Sequence, residues 1–225
     1  MSDPLRRLTR MTNRAAYGAV WLLALAAFLA GIYFFRDLPD PMVSHWNAVG
    51  TPDGYMGKLL GVSLMPAVIL LSSFVFLAIT RIDPLRRNIE SFRGTYNTFV
   101  VLVGIVLAVI QAAVLAVNLG ASFNIGVVIM PAVGALLFAV GVLLPSTKRN
   151  FFIGIRTPWT VSDDVVWERT HALGGFIFKV LGVVAIFSII APSYAVYLFL
   201  APLFVAVVGL IIYSYVVYRE LHGGA

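Results

Sequence analysis

Ten acidic residues, three histidines and no cysteine are the stock this 225-residue chain offers for metal binding, proton transfer or nucleophilic attack. They are not spaced for any of these. A zinc hydrolase sets two histidines one helical turn apart with a glutamate between them, and a serine hydrolase raises its serine between glycines on a sharp turn. Neither pattern occurs, and phosphate loops and dinucleotide fingerprints are also missing. The acids fall in connecting segments, where they suit turns and helix caps. A binding or structural protein is expected, not an enzyme, with no metal and no other cofactor.

Polar and aromatic residues concentrate in two segments instead. The first, 37–58, contains His45, Trp46, Asn47, Asp53 and Lys58, with three prolines and three glycines that exclude a regular helix. Its Pro52-Asp53-Gly54 is expected to turn, because proline presets φ and glycine accepts a positive φ. The segment reads either as a packed cap with an interfacial tryptophan or as a surface that senses a ligand or peptide. The second, 145–171, contains Asn150, Arg156, Trp159, Trp167 and His171. Ser162 is placed to cap a helix whose first turn holds Asp163 and Asp164. On that helix Trp167, Thr170, His171, Gly174 and Phe178 share one stripe. It is expected to follow the membrane interface before turning inward, with Gly174 and Gly175 admitting a neighbouring helix. Arg156 could cap a helix, bind a lipid phosphate or pair with Asp163. This segment is either a structural elbow or a partner-binding surface.

The elements that hold these segments are set by composition. Sixty per cent of the residues are hydrophobic, 12% are charged, and mean hydropathy is +0.95. A soluble domain carries about 25% charged residues. No charge occurs between Gly94 and Thr147, or between Val180 and Tyr218. Each run is long enough for two crossings of about 20 residues. An all-α integral membrane protein with six spans follows, at 17–35, 59–80, 95–117, 125–145, 172–190 and 196–218. The first span lacks a small-residue cleavage site and reads as a retained anchor. Lys179, Gln111 and Asn118 are the polar candidates inside the spans. Lys179 lies about 10 Å deep at 1.5 Å per residue, either snorkelling or acting as a buried functional charge. The two amides either bond adjacent helices or line a pathway.

Lysine and arginine set the orientation. Arg6, Arg7, Arg10 and Arg14 precede span 1, and Arg81, Arg86, Arg87 and Arg93 follow span 2. Lys148, Arg149, Arg156 and Arg169 follow span 4, and Arg219 follows span 6, thirteen in all. Arg36 and Lys58 stand alone on the other side. Both termini are therefore expected in the cytoplasm. The net charge of +6 reports topology and the lipid bilayer as partner, not direct nucleic-acid binding. Met65-Pro66-Ala67-Val68 recurs as Met130-Pro131-Ala132-Val133, which reads either as a duplicated hairpin or as a chance match of prolines that only kink their helices.

The two segments carry a resemblance. Leu38-Pro39-x-Pro41, His45-Trp46-Asn47, Gly50, Pro52-Asp53-Gly54 and Lys58 are similar to the membrane region DUF1648, which suggests a division into 1–94 and 95–225. Asn150-Phe151-Phe152-Ile153-Gly154-Ile155-Arg156-Thr157-Pro158-Trp159-Thr160, with Trp167, Thr170-His171 and Gly174-Gly175, resembles the SdpI family. That resemblance implies a plasma-membrane immunity protein that resists a secreted killing peptide and signals by holding a small repressor at the membrane. The peptide would face His45 to Lys58, and the repressor the cytoplasmic motif. Ala172 stands where the family commonly has a basic residue, which would weaken a repressor contact. A small permease or a structural envelope protein are the alternative readings.

Overall fold

A computed structural model of the chain describes residues 11–223; Arg6, Arg7 and Arg10 lie outside the described residues. Six helices are long and apolar enough to span a membrane: α1 (Asn13–Tyr33), α2 (Lys58–Ile82), α4 (Arg93–Asn118), α5 (Gly126–Leu143), α7 (Asp164–Phe187) and α8 (Ala195–His222). The chain is a multi-pass membrane protein. Two short helices, α3 (Arg86–Ser91) and α6 (Pro158–Ser162), lie in the connections. The helical pairings make the bundle. α1 packs on α2 and α4, α7 packs on α5 and α8, and α4 against α5 joins these groups.

Lipid cannot satisfy backbone polar groups, so each crossing closes its own hydrogen bonds. Pro66, Pro131 and Pro202 each remove one of them, yet all three lie inside helices, as their membrane setting allows.

α5 and α7 meet through glycine. A Cβ on Gly134 would lie 2.7 Å from the Gly182 carbonyl, and one on Gly141 2.7 Å from the Gly175 carbonyl. The pairs sit seven residues apart on both helices, so two turns of bare backbone run antiparallel against each other. Gly174 does different work from its neighbour: its missing side chain admits Ile155 of the connecting loop.

The segment after α1 forms an antiparallel hairpin, β1 (Met42–Trp46) and β2 (Pro52–Met56). The turn lies at 47–51, not at the expected Pro52-Asp53-Gly54, which belongs to β2. Asn47 and Gly50 explain the shift. The Asn47 side chain accepts from Val49 and Thr51 N–H at 3.1 and 3.0 Å, and Gly50 takes φ +86°. A side-chain acceptor and a left-handed glycine suit a turn better than Pro-Asp-Gly does here.

The expected interfacial bend before span 5 is also corrected. α7 is one continuous helix from Asp164, and its cap is Asp163, which accepts from Val165 and Val166 N–H at 2.7 and 2.9 Å. Ser162 is the last residue of α6. α6 carries its own capping box, Thr157 with Thr160, and ends the chain's detour before α7 begins.

Candidate functional site

The hairpin is clipped to the end of α4 by one side chain. Asn118 Oδ1 accepts from Val43 N–H at 2.8 Å, and its Nδ2 donates to the Val43 carbonyl at 2.9 Å. The amide thus pairs with β1 as a neighbouring strand would. Asn124 secures the turn in the same manner, donating to the Val49 carbonyl at 2.9 Å while accepting from Gly126 N–H. Sequence reasoning missed Asn124. Its signal was an asparagine two residues ahead of a helix-opening glycine.

His45 Nδ1 lies 2.5 Å from Asp53 Oδ1 across the hairpin, and both side chains are exposed. Trp46 is half-buried and Asn47 is exposed. Lys58 has its ammonium on the Phe35 carbonyl at 3.0 Å, while its N–H donates to Asp40. His45, Trp46 and Asp53 therefore lie on the sheet, Asn47 in its turn, and Lys58 at the start of α2 beside it. Beneath its turn lies a cavity of about 300 Å³, walled by Met65, Ile110, Ile129, Met130 and Val196, with Trp46 at its roof.

The opposite end is organised by the long loop before α7. Asn150 is fully buried. Its Oδ1 accepts from Phe152 and Ile153 N–H, and its Nδ2 donates to the carbonyls of Lys148 and Ile153. Asp83, also missed by sequence reasoning, reaches across to accept from Phe151 N–H at 2.9 Å, and Asn88 donates to the Arg149 carbonyl at 2.7 Å. The signal for Asp83 was its place before Pro84, where a helix must stop.

Trp167 and His171 stack at 3.9 Å inside this fold. Trp167 Nε1 donates to the Thr147 carbonyl at 3.2 Å. His171 Nε2 lies 3.0 Å from Ile155 N–H, and Nδ1 lies 2.8 Å from the Trp167 carbonyl. A nitrogen that accepts a backbone N–H carries no proton, so the arrangement assigns the neutral ring with its proton on Nδ1. Gly154, at φ +108°, passes so close that a Cβ would stand 2.3 Å from His171 Nε2.

Arg156 does not pair with Asp163. It is exposed and donates to the Phe151 carbonyl at 2.7 Å, while Asp163 faces His222 at 3.5 Å. Arg149 instead pairs with Asp164 at 2.9 Å, and it also donates to the carbonyls of Val161 and Ser162 at the end of α6. Lys148 pairs with Glu168 at 2.8 Å, and that hydrogen bond holds its ammonium above the usual lysine range. Trp159 is half-buried against Tyr215, with ring centres 5.0 Å apart.

The polar residues within the spans are not brought together. Lys179 is half-buried beside Gly141, without a hydrogen-bond or ion-pair partner among the described residues. Gln111 is buried, with a long 3.5 Å contact to the Gly61 carbonyl and no partner for its Oε1. No group of three His, Asp or Glu among the described residues is placed to hold a metal ion.

Residues 146–214 match the SdpI/YfhL protein family, and residues 22–70 match a domain of unknown function, DUF1648. The chain is similar to the immunity protein SdpI of Bacillus subtilis (strain 168), 26% identical over 203 residues, which cover 90% of this chain and 95% of that protein. No solved structure matches it.

Proposed function

We propose that this chain, which carries an SdpI/YfhL-family region at 146–214, is an integral membrane immunity protein that gives resistance to a secreted antimicrobial peptide. The observation that carries the reading is the end-to-end similarity to an immunity protein, which runs through both structured segments. The hairpin faces outward and meets the peptide, and both termini are cytoplasmic. This orientation rests on the charge asymmetry: described basic residues gather at the end opposite the hairpin, where only Arg36 and Lys58 stand.

The inner end offers a surface for a small repressor. Its residues divide by accessibility. Asn150, Trp167 and His171 are buried and keep the loop in shape, whereas Arg156 is exposed beside Phe151 and Phe152, with Trp159 at the edge. Contact with a partner falls to the second group and positioning to the first.

The test is a challenge of a sensitive bacterium that expresses the chain, using the killing peptide of a Bacillus producer and recording membrane depolarisation. The wild-type chain suppresses depolarisation. Trp46→Ala loses that protection at matched membrane abundance, and Arg156→Ala keeps it. Full depolarisation in cells with abundant wild-type chain would remove the immunity reading.

A further inference from the structure

The cavity under the hairpin has three properties that together define an occupant. Its walls are apolar and come from four separate stretches of the chain: Met65 of α2, Ile110 and Val114 of α4, Ile125, Ile129 and Met130 around the start of α5, and Pro192, Ala195 and Val196 around the start of α8. The two amides at its roof have partners already, while Ser44 Oγ and His45 Nε2 have none among the described residues. Asn47 serves Val49 and Thr51, and Asn124 serves Val49 and Gly126. Below the roof the walls offer no polar side chain, so the part of a ligand that enters is apolar. Met65 and Met130 give adaptable walls, since a thioether chain repacks around different shapes. At about 300 Å³ the space takes side chains, not a whole peptide.

The rim adds charge selection. Arg36, Asp37, Asp40, Asp53 and Lys58 are the formal charges at this end among the described residues. Lys58 bonds to the Phe35 carbonyl and Asp40 accepts from Lys58 N–H, both neutral groups that leave the charges in place, so three carboxylates against two cations make this end net negative. Asp53 is joined to cavity-lining His45 through Oδ1 alone, which leaves Oδ2 without a partner among the described residues. A carboxylate oxygen one side chain away from an apolar cavity, beside its lining His45, suits a cation carried next to an apolar group.

We propose that the hairpin-roofed cavity is a receptor pocket for the apolar side chains of a cationic amphipathic peptide, with Asp53, bonded to the lining His45, taking a neighbouring positive charge. This rests on the immunity reading for its biological occupant, and it names the pocket and the chemistry that reading lacks.

The absence of cysteine makes a clean test, because an introduced thiol is the sole one. Ile129→Cys and, as a second reporter, Val196→Cys are placed in the cavity wall, with Phe123→Cys on the turn after α4 as control. Right-side-out vesicles are labelled with a membrane-impermeant thiol reagent in the presence of a lysine–leucine peptide, its glutamate–leucine counterpart, or neither. Both wall reporters label without peptide. The lysine peptide, at about ten times its Kd, slows their labelling by about tenfold and leaves Phe123→Cys unaffected. The glutamate peptide has little effect, and Asp53→Asn erases the difference between the two. Wall reporters that do not label, or that label equally fast with the lysine peptide, overturn the pocket. Equal protection by both peptides overturns the charge selection. The immunity reading fails separately, if cells with abundant wild-type chain are not protected while the lysine peptide still shields the wall.

Discussion

Asn118 shows how much of the hairpin end depends on one side chain. Replacing it with alanine leaves the N–H and C=O of Val43 without their partners, and an unmet backbone group in a half-buried setting costs about 1–3 kcal/mol. Asn118→Ala is therefore expected to lower the thermal unfolding midpoint in detergent and to open the hairpin to externally added protease, while the spans stay protected. Asn118→Asp keeps the acceptor for Val43 N–H but sets a buried carboxylate against the Val43 and Val114 carbonyls, so it should destabilise the hairpin at least as much as alanine. An unchanged protease pattern in both variants would show that Asn118 does not hold the hairpin. The sequence marked Asn118 and Gln111 as polar residues in apolar surroundings but did not identify their partners. Val43 lies 75 residues from Asn118, and only the folded bundle brings them together. His171 is a parallel case at the other end. Its helical stripe with Trp167 and Thr170 is visible in the spacing, whereas its bond from Ile155 depends on how Gly154 turns the loop. Gly154→Ala is strained at φ +108° and meets the imidazole at once, so it should disorder the loop and reduce membrane abundance. A Gly154→Ala chain with wild-type abundance and melting would contradict this.

At the level of whole helices, the α5–α7 contact is where side-chain volume is least tolerated. Gly134→Ala brings a Cβ to 2.7 Å from the Gly182 carbonyl, and Gly182→Ala brings one to 2.6 Å from the Gly134 carbonyl. The obstacles are backbone atoms, which cannot rotate away, so the helices must separate. Overpacking of this kind costs about 1–3 kcal/mol. Gly209 in α8 is the internal contrast: a Cβ there meets nothing within 4 Å. Gly209→Ala removes a flexible residue from a helix interior and should be neutral or raise stability by about 0.5–1 kcal/mol. Thermal unfolding of the three variants in one detergent checks both signs, and equal melting of all three would deny the seam. The six crossings were legible because the bilayer imposes length and hydropathy on any span, so each expected span overlaps its helix. The register between helices was less so. Gly174 and Gly175 stood out beside the motif, but Gly134 and Gly141 lie in an evenly apolar helix where glycine is ordinary. Their spacing of seven, repeated at Gly175 and Gly182, was the readable signal.

For the molecule as a whole, the decisive feature is the contrast between its two ends. The hairpin end is compact, carries few charges and roofs a cavity. The opposite end holds Arg81, Arg86, Arg87, Arg93, Lys148, Arg149, Arg156, Arg169 and Arg219, together with a loop fastened by Asp83 and Asn88. Moving so many cations across a bilayer is far more costly than moving two, so the basic end should stay in the cytoplasm. Helices α5 and α7 run the full distance between the ends. α5 lines the cavity at Ile129 and Met130 and ends against the motif loop, where Leu144, the residue that follows it, lies near Gly174 beside Ile155. A peptide bound under the hairpin and a repressor bound at the loop would therefore touch one continuous packed unit, and the orientation decides whether they meet it from opposite sides of the membrane. Single cysteines at Thr51 in the hairpin turn and at Glu90 in α3, both exposed, report that orientation directly. In intact cells an impermeant thiol reagent should label Thr51→Cys and leave Glu90→Cys unlabelled until the membrane is permeabilised. The reverse pattern would invert the molecule, place the cavity in the cytoplasm and take the secreted peptide out of its reach. Labelling of both positions in intact cells would indicate a mixed population that the charge asymmetry does not allow.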